Sequence, residues 1–227
     1  MSPPPELHVL DDPARAVGNL LAEQARSGGS IVLTGGSAPG AAYARAAEVE
    51  PDWSRVTLWW GDERCVPPDN DLSNYRLAQE TLLDRLAVQP YEVHRIRGEL
   101  DPAEAANELD GALEGVELDF LLLGLGPDGH VASLFPGSPQ LAVDDRRAVS
   151  GPPGLEPFVE RVTMTMPVLR AAKRIVFLVL GASKRHAVAR SFGGEITDAV
   201  PASLVLQAPI AVEVFLDGAA ASRLGAG

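Results

Sequence analysis

The order of the predicted elements indicates an α/β fold with a largely parallel sheet. Short apolar segments alternate along the chain with amphipathic helical segments, as expected where crossover helices connect parallel strands. Ile31–Leu33 is wholly apolar and Leu118–Leu123 nearly so, which is typical of strands covered by helices on both faces. No internal repeat or long low-complexity linker interrupts the pattern. We therefore predict one domain over residues 1–227, with a substantial core.

The individual elements follow from apolar runs, capping residues and the positions of proline and glycine. Strands are predicted at Leu7–Leu10, Ser30–Thr34, Val56–Trp60, Glu92–Ile96, Leu118–Leu123, Arg161–Met164, Arg174–Leu180 and Ile210–Leu216. Helices are predicted at Asp12–Arg26 (with Asp12 as N-cap before Pro13), Ala38–Ala47, Ser73–Leu86, Pro102–Leu113, Pro167–Ala172, Ser183–Phe192 and Pro201–Leu206. Beside the rigid loop at residues 151–157, we expect Arg147–Ser150 and Arg161–Met164 to form a small antiparallel excursion.

Composition and charge restrict the classes of partner. The formal net charge of −12 disfavours nucleic acid and anionic membranes, so an anionic substrate requires a local cluster of cations. The single cysteine, Cys65, excludes an internal disulfide and fits a reducing compartment. No apolar run is long enough to cross a bilayer, and Met1–Glu6 reads as a short disordered lead rather than a secretory signal. These features predict a cytoplasmic protein.

The segment Gly124–Gly137 carries the clearest chemical signal. Asp128 and His130 follow a predicted strand in a glycine-rich turn, at the edge where open α/β sheets bind ligands. A carboxylate next to an imidazole fixes the tautomer of the ring and favours its protonated form during general-base catalysis. The alternative is a surface turn in which both side chains only cap the next helix.

A second glycine-rich turn, Thr34–Gly40, also joins an apolar strand to a helix. Backbone N–H groups and the helix dipole converge there, an arrangement that suits a phosphate. The turn lacks the Lys-Ser/Thr ending of a P-loop and the spacing of a dinucleotide fingerprint, which argues against nucleoside triphosphates and NAD. Turns of this kind also occur without a ligand, so the motif alone leaves both possibilities open.

Charged and polar residues follow a third strand. Arg64 has the planar fork that clamps a phosphate, and Asp62 is suited to accept hydrogen bonds from sugar hydroxyls. Further along, Ser73 is a predicted N-cap and Asn74 lies in the first helical turn. A solvated charge cluster is the alternative, but the expected proximity of the two glycine-rich loops favours a binding site.

Lys184 lies near the start of a helix, the unfavourable end for a cation unless an anionic ligand compensates it. An exposed lysine without a role is equally consistent with the sequence. The histidines at 8, 94 and 186 show no metal-ligand spacing, and we interpret them as structural or surface residues. We expect neither a metal nor another cofactor.

Taken together, these four segments resemble the 6-phosphogluconolactonase family, in the superfamily of sugar-phosphate isomerases and glucosamine-6-phosphate deaminases. The resemblance implies a Rossmann-like three-layer α/β/α fold with a small antiparallel insertion. It also implies that the Gly35-Gly36-Ser37 loop and Lys184 hold the phosphate of a sugar acid, and the Gly-Asp-Glu-Arg and Ser-Asn motifs around Asp62 and Asn74 match the family pattern. Arg170 stands where family members often carry a small polar residue, which leaves its role open.

The implied reaction is hydrolysis of 6-phospho-D-glucono-1,5-lactone to 6-phospho-D-gluconate in the oxidative pentose phosphate pathway. His130 would act as general base on water, Asp128 would orient His130 or bind substrate, and the cations would hold the phosphate. We expect a small sugar-phosphate lactone as the partner, and a monomer or weak homodimer. One alternative is a glucosamine-6-phosphate deaminase, whose loop carries a glutamate at the position of Phe135. The other is a non-catalytic sugar-phosphate sensor.

Overall fold

A computed structural model describes residues 2–225, which form ten strands and eight α-helices. The strands are β1 (Glu6–Val9), β2 (Gly29–Leu33), β3 (Val56–Trp60), β4 (Asp62–Arg64), β5 (Glu92–His94), β6 (Phe120–Leu123), β7 (Ala148–Gly151), β8 (Arg161–Met164), β9 (Ile175–Val179) and β10 (Val212–Leu216). The helices are α1 (Pro13–Ser27), α2 (Ser37–Val49), α3 (Asn74–Thr81), α4 (Pro102–Ala112), α5 (Met166–Arg170), α6 (Arg185–Phe192), α7 (Pro201–Val205) and α8 (Gly218–Ala221).

The centre of the fold is a seven-stranded sheet in the order β1-β10-β9-β6-β2-β3-β5, and every pair of neighbours in it is parallel. Each residue of β6 and of β9 is buried, so both faces of the central strands are covered. The predicted α/β class is confirmed, as is the largely parallel sheet.

The strand order changes direction between β2 and β6. From β2 the chain continues outward to β3 and β5, whereas β6 pairs on the other side of β2 and is followed by β9 and β10. The loops that leave the carboxyl ends of β2 and β6 therefore diverge and leave a crevice between them. Such a reversal point is where open α/β sheets bind ligands.

A second, three-stranded antiparallel sheet has the order β4-β8-β7. Its β7–β8 pair confirms the predicted antiparallel excursion. The sequence did not predict β4, because its residues Asp62–Arg64 are charged and few. They are extended because β8 pairs with them, with Asp62 opposite Thr163 and Arg64 opposite Arg161.

Helix starts were predicted better than helix ends. Asp12 and Ser73 are N-caps, accepting hydrogen bonds from the backbone N–H groups of Arg15 and Arg76. The predicted helix Ser73–Leu86 is wrong at its end, since Leu82 leaves the helical conformation and a 3-10 turn, Leu83–Arg85, follows. The predicted helix Ser183–Phe192 is the exception: its end is correct, but its start is wrong, because Ala182–Lys184 is a 3-10 turn and α6 begins at Arg185.

Strand bounds differ by one or two residues at several ends. β5 stops at His94 rather than Ile96 because it is an edge strand that pairs with β3 over three residues only. The lead predicted at the N-terminus begins at Met1, which lies outside the described residues. No helix within residues 2–225 combines the length and the apolar character needed to cross a membrane.

Candidate active site

A cavity of about 470 Å³ opens at the crevice between β2 and β6. Its walls come from the loops after these two strands, from β4 and β8 of the small sheet, and from the 3-10 turn before α6. All predicted site residues except Asp128 line it: Thr34, Gly35, Gly36, Ser37, Asp62, Arg64, Asn74, His130 and Lys184. Residues far apart in sequence thus meet at one edge of the sheet.

Asp128 does not line the cavity, but it contacts the cavity-lining His130 twice. Its Oδ1 is 2.6 Å from Nδ1 of the ring and accepts the backbone N–H of His130 at 3.1 Å. Burial acts to raise the pKa of Asp128, but the hydrogen bonds and the charge of His130 outweigh it, and the pKa is lowered. An ionised Asp128 requires the hydrogen on Nδ1, which leaves Nε2 of the cavity-lining ring free to act as a base.

The ring of His130 is held by close packing on other sides as well. A Cβ at Gly126 would lie 2.0 Å from Nδ1, so only glycine allows the ring to occupy this position. The ring of Phe135 packs against the imidazole with 4.6 Å between centroids and a 50° angle between planes. His130 therefore has one favoured orientation before any substrate binds.

The loop after β2 presents the open end of a helix to the cavity. Gly36 is the N-cap of α2 at φ +112°, and no side chain caps the first turn of this helix. The leading N–H groups of α2 are accordingly available to an anion, which the helix dipole also favours. A Cβ at Gly35 would lie 1.9 Å from Oδ1 of Asn74, so the loop passes directly against that side chain.

Asp62 and Asn74 form a polar wall of the cavity next to this loop. Asn74 donates from Nδ2 to the backbone oxygen of Asp62 at 2.9 Å and to its Oδ1 at 3.4 Å. The hydroxyl of Ser133 donates to Oδ2 of Asp62 at 2.6 Å. These bonds fix the carboxylate while it still lines the cavity, where it can accept hydrogen bonds from hydroxyl groups.

Glu63 is buried next to Asp62 and supports the site from beneath. Its carboxylate accepts the backbone N–H groups of Arg64, Asn74 and Tyr75 and the hydroxyl of Ser73. Burial raises the pKa of Glu63, although these four hydrogen bonds act in the opposite direction. The contacts join β4 to the first turn of α3 and so set the position of Asn74.

Arg64 and Arg161 face each other across the antiparallel pair β4–β8. Both line the cavity. Like charges opposite each other destabilise a sheet, and neither guanidinium forms an ion pair with a carboxylate among residues 2–225. Burial lowers the pKa of Arg161, and the charge of Arg64 lowers it further. The charges of Asp62 and Glu63 act to raise the pKa of Arg161, but two adjacent cations without an ion-pair partner among the described residues, in a chain of net charge −12, indicate an anion-binding site.

The hydrogen bonds of these two arginines leave part of each guanidinium unused. Arg64 donates from Nη1 to the backbone oxygen of Leu72 at 2.6 Å, and Arg161 donates from Nη2 to that of Pro157 at 2.8 Å. The Nε atoms of both are buried without a hydrogen-bond partner in the described chain. A buried unpaired donor on a cation is costly for the fold alone, which is the pattern expected at a ligand site.

Lys184 supplies a third cation on the side of the cavity nearest Asp128. Its Nζ donates to the backbone oxygen of Leu125 at 2.7 Å. Burial lowers the pKa of Lys184, whereas the negative charge of Asp128 acts to raise it. The lysine is half-buried and lies in the 3-10 turn at Ala182–Lys184 rather than in a regular helix.

Residues that the sequence excluded or left open lie away from the cavity. His8 stacks on Phe215, His94 stacks on Trp59, and His186 is exposed. Arg170 donates from Nε to the backbone oxygen of Leu204, near the end of α7. No group of three or more potential metal-ligating side chains occurs in the part of the chain that the structure describes.

Cys65 is half-buried. Burial raises its pKa to about 11, so the reactive thiolate is scarce at neutral pH.

Sequence reasoning missed Arg161, Ser133 and Phe135 as cavity residues. Arg161 was assigned only to a strand, and its pairing with Arg64 depends on β4, which was not predicted. An arginine in a short strand of otherwise uncharged residues was the available signal. Ser133 and Phe135 belong to the motif around His130, but their contacts arise from how that loop folds back.

The arrangement combines a positioned imidazole with three cations, Arg64, Arg161 and Lys184, in one cavity. The oriented ring can take a proton from water and return it to a leaving oxygen. The arginines and the open end of α2 can hold a phosphate. Asp62 and Asn74 can bind hydroxyl groups. Such a site suits hydrolysis of a small phosphorylated molecule that carries hydroxyl groups.

Known proteins share both the sequence pattern and the architecture. A family model described as glucosamine-6-phosphate isomerases/6-phosphogluconolactonase matches residues 9–214. A 6-phosphogluconolactonase from Synechocystis is 38% identical over 180 residues, covering 75% of this chain and 74% of its own. One from Streptomyces coelicolor is 34% identical over 222 residues, covering 89% and 85%. The structure of a 6-phosphogluconolactonase from Trypanosoma brucei superposes with a TM-score of 0.86 at 26% identity, covering 99% and 100%.

Proposed function

The chain belongs to the family of glucosamine-6-phosphate isomerases and 6-phosphogluconolactonases, and from this premise we infer that it hydrolyses 6-phospho-D-glucono-1,5-lactone. The product is 6-phospho-D-gluconate, and the reaction belongs to the oxidative pentose phosphate pathway. Relatives that share a third or more of its residues over most of its length carry this activity in their names. An imidazole, three cations and a carboxylate line the cavity, which supports this inference.

We assign the proton transfers to His130. Its Nε2 takes a proton from water as the water oxygen bonds to the lactone carbonyl carbon. The tetrahedral intermediate then collapses, the bond from that carbon to the ring oxygen breaks, and the imidazolium returns the proton to this oxygen. Asp128, bound to Nδ1, stabilises the imidazolium between the two steps. No covalent intermediate with the protein is needed.

The phosphate is assigned to the cations and to the loop after β2. Arg64 and Arg161 offer charged donors from neighbouring strands, and the Gly35-Gly36-Ser37 loop offers the N–H groups at the start of α2. Lys184 adds a charge at the side of the cavity near Asp128. Binding the phosphate far from the reacting carbon uses its binding energy to position that carbon beside His130.

The hydroxyl groups of the sugar are assigned to Asp62 and Asn74. The Asp62 carboxylate accepts from Ser133 and Asn74, and each carboxylate oxygen can accept further hydrogen bonds. Thr34 lines the same cavity at the end of β2.

The contact between Asp128 and His130, in a cavity that the paired arginines also line, is the observation that carries this assignment. Deamination of glucosamine 6-phosphate is the less favoured activity, because Phe135 rather than a carboxylate packs against His130. An aromatic ring at this position cannot accept a proton. Binding without turnover would not need a general base whose ring is held in one orientation by Asp128.

The decisive experiment follows acid release from freshly generated 6-phosphogluconolactone at low temperature, above the spontaneous rate. We expect rapid turnover, no ammonia from glucosamine 6-phosphate, and no effect of chelators. Ammonia release without lactone hydrolysis would indicate the deaminase. Tight binding of 6-phosphogluconate without turnover of either substrate would indicate a sensor.

Other features of the protein remain proposals that the composition supports. We propose one domain over the whole chain that acts in the cytoplasm as a monomer or weak homodimer, without a cofactor. The net charge of −12 argues against nucleic acid as a partner. Analytical ultracentrifugation across a range of concentrations tests the oligomeric state.

A further inference from the structure

The hydroxyl of Tyr43 makes two hydrogen bonds to the same backbone residue. It accepts the N–H of Thr34 at 2.8 Å and donates to the C=O of Thr34 at 2.6 Å. Both backbone groups have no other hydrogen bond within the described chain. Tyr43 itself is fully buried. One side chain thus satisfies both polar groups of a buried residue that would otherwise leave them unpaired.

These bonds are formed directly after the end of β2, where the hydrogen bonds of the sheet stop. Leu33 is the last residue of β2, and its C=O still accepts the N–H of Gly61 from the β3 side. Thr34 is the next residue, and after it the chain turns into the Gly35-Gly36-Ser37 loop. At Thr34, where the loop begins, the phenol of Tyr43 provides the backbone hydrogen bonds that a neighbouring strand would otherwise provide.

Tyr43 belongs to the helix whose N-terminus the loop joins. Ser37 begins α2, and Tyr43 lies in the second turn of the same helix. The loop is consequently anchored at both ends to one rigid element, by the covalent chain at Ser37 and by the phenol at Thr34. The glycines between these anchors contribute no side chain that could hold them.

The donor hydrogen of Tyr43 is retained through the working range of pH. Burial raises the pKa of Tyr43 well above its usual value, the N–H of Thr34 acts to lower it, and the negative charge of Asp62 raises it further. The phenol therefore keeps its hydrogen, and donates to Thr34, at neutral pH.

We propose that Tyr43 is a positioning residue that sets the geometry of the phosphate-binding loop through its two hydrogen bonds to Thr34. The inference rests on the proposed function, in which this loop holds the phosphate. Tyr43 does not line the cavity and touches no reacting group. Its effect therefore concerns affinity for the phosphate and not the proton transfers at His130.

The test is Tyr43→Phe, which keeps the buried ring and removes the hydroxyl. We expect KM for 6-phosphogluconolactone to rise about five- to thirtyfold while kcat stays within about threefold. The KM for glucono-1,5-lactone, which lacks the phosphate, should change less than about twofold. The dissociation constant of 6-phosphogluconate, measured by calorimetry, should rise with the KM of the phosphorylated lactone.

Tyr91→Phe is the control. Tyr91 is exposed and does not line the cavity, so its hydroxyl has no part in the proposed site. We expect wild-type KM and kcat from this variant. If Tyr43→Phe does not fold, the same measurements are made with it in a Gly111→Ala background, since Gly111 lies in α4 with open space around it.

The outcomes separate this inference from the proposed function. A lower melting temperature with unchanged KM for the phosphorylated lactone would show that Tyr43 only stabilises the fold, as would equal changes for both lactones. Absence of lactone turnover by the wild type would contradict the proposed function instead. In that case the dissociation constants of 6-phosphogluconate for the wild type and for Tyr43→Phe still decide the role of Tyr43.

Discussion

Oδ1 of Asp128 binds both the ring and the backbone of His130, two residues further along the chain. The turn between them closes a ring of atoms in which the imidazole cannot rotate without losing the contact at Nδ1. The histidine is thus oriented by its own loop and needs no partner from another element. This local arrangement explains why the short motif carries a strong signal in the sequence.

Replacement of His130 by glutamine should remove the base and retain binding. We expect kcat to fall at least about 100-fold, in line with the usual contribution of general-base catalysis. The dissociation constant of 6-phosphogluconate should stay within about threefold, because the phosphate-binding groups are unchanged. The exposed His186 offers the control His186→Gln, which should behave as wild type. A kcat for His130→Gln within about threefold of wild type, only about 0.7 kcal/mol on the barrier, would refute the base assignment.

Arg161→Met should separate stability from affinity. Since this guanidinium is buried without a carboxylate partner, an apolar side chain of similar length should leave the melting temperature equal or higher. The KM for the phosphorylated lactone should rise about ten- to hundredfold, which corresponds to about 1.4–2.7 kcal/mol. Thermal unfolding and steady-state kinetics measure the two effects.

Arg170→Met is the control for that substitution. Arg170 is also partly buried, and burial lowers its pKa, but it does not line the cavity. Its replacement should leave the KM unchanged both for the phosphorylated lactone and for glucono-1,5-lactone. Should Arg161→Met weaken the affinity for glucono-1,5-lactone as much as for its phosphorylated counterpart, Arg161 acts on the shape of the site rather than on the phosphate.

Lys184 predicts a pH dependence of binding. Burial lowers the pKa of Lys184, so its charge is lost as the pH rises. Affinity for 6-phosphogluconate should therefore decline with rising pH, and the decline should begin below the usual lysine pKa of about 10.4. Without ligand, the unfolded chain binds more protons than the folded one between the lowered pKa and 10.4, so stability should rise with pH in that window. Calorimetric titrations at several pH values should show the decline for wild type and not for Lys184→Arg. A parallel decline in both would assign it to another group.

Gly126→Ala should disturb catalysis through a single methyl group. The added Cβ would lie 2.0 Å from Nδ1 of His130, so the ring must move away from Asp128. We expect kcat to fall at least about tenfold with little change in the affinity for 6-phosphogluconate. Gly111→Ala, where nothing lies within 4 Å, should keep full activity. Unchanged kcat in Gly126→Ala would mean that the orientation of the ring does not limit the reaction.

Local signals explain the parts of the fold that the sequence predicted. The strands Val56–Trp60 and Arg161–Met164 have the predicted bounds, and Asp12 and Ser73 are N-caps as predicted. In each case neighbouring residues decide the conformation, through apolar runs or through a side chain that accepts a nearby N–H.

Long-range pairing explains what was missed. β4 is extended because β8, about a hundred residues later, pairs with it, and this same pairing brings Arg161 opposite Arg64. Nothing next to Arg161 in sequence indicates a partner of equal charge. The prediction of Arg64, Lys184 and the glycine loops depended on their following strands of a parallel sheet, whose carboxyl ends share one edge.

The pairing of β1 with β10 has a consequence for folding during synthesis on the ribosome. Glu6 lies opposite Glu213, so β1 emerges roughly 200 residues before the strand that receives it. Throughout that interval the backbone N–H and C=O groups of β1 are unpaired and can form hydrogen bonds with another strand. The prolines at positions 3–5 cannot extend a ladder of hydrogen bonds, which limits how far such a wrong pairing can grow toward the N-terminus. The prolines next to β1 thus limit mispairing of the strand whose partner, β10, is synthesised last.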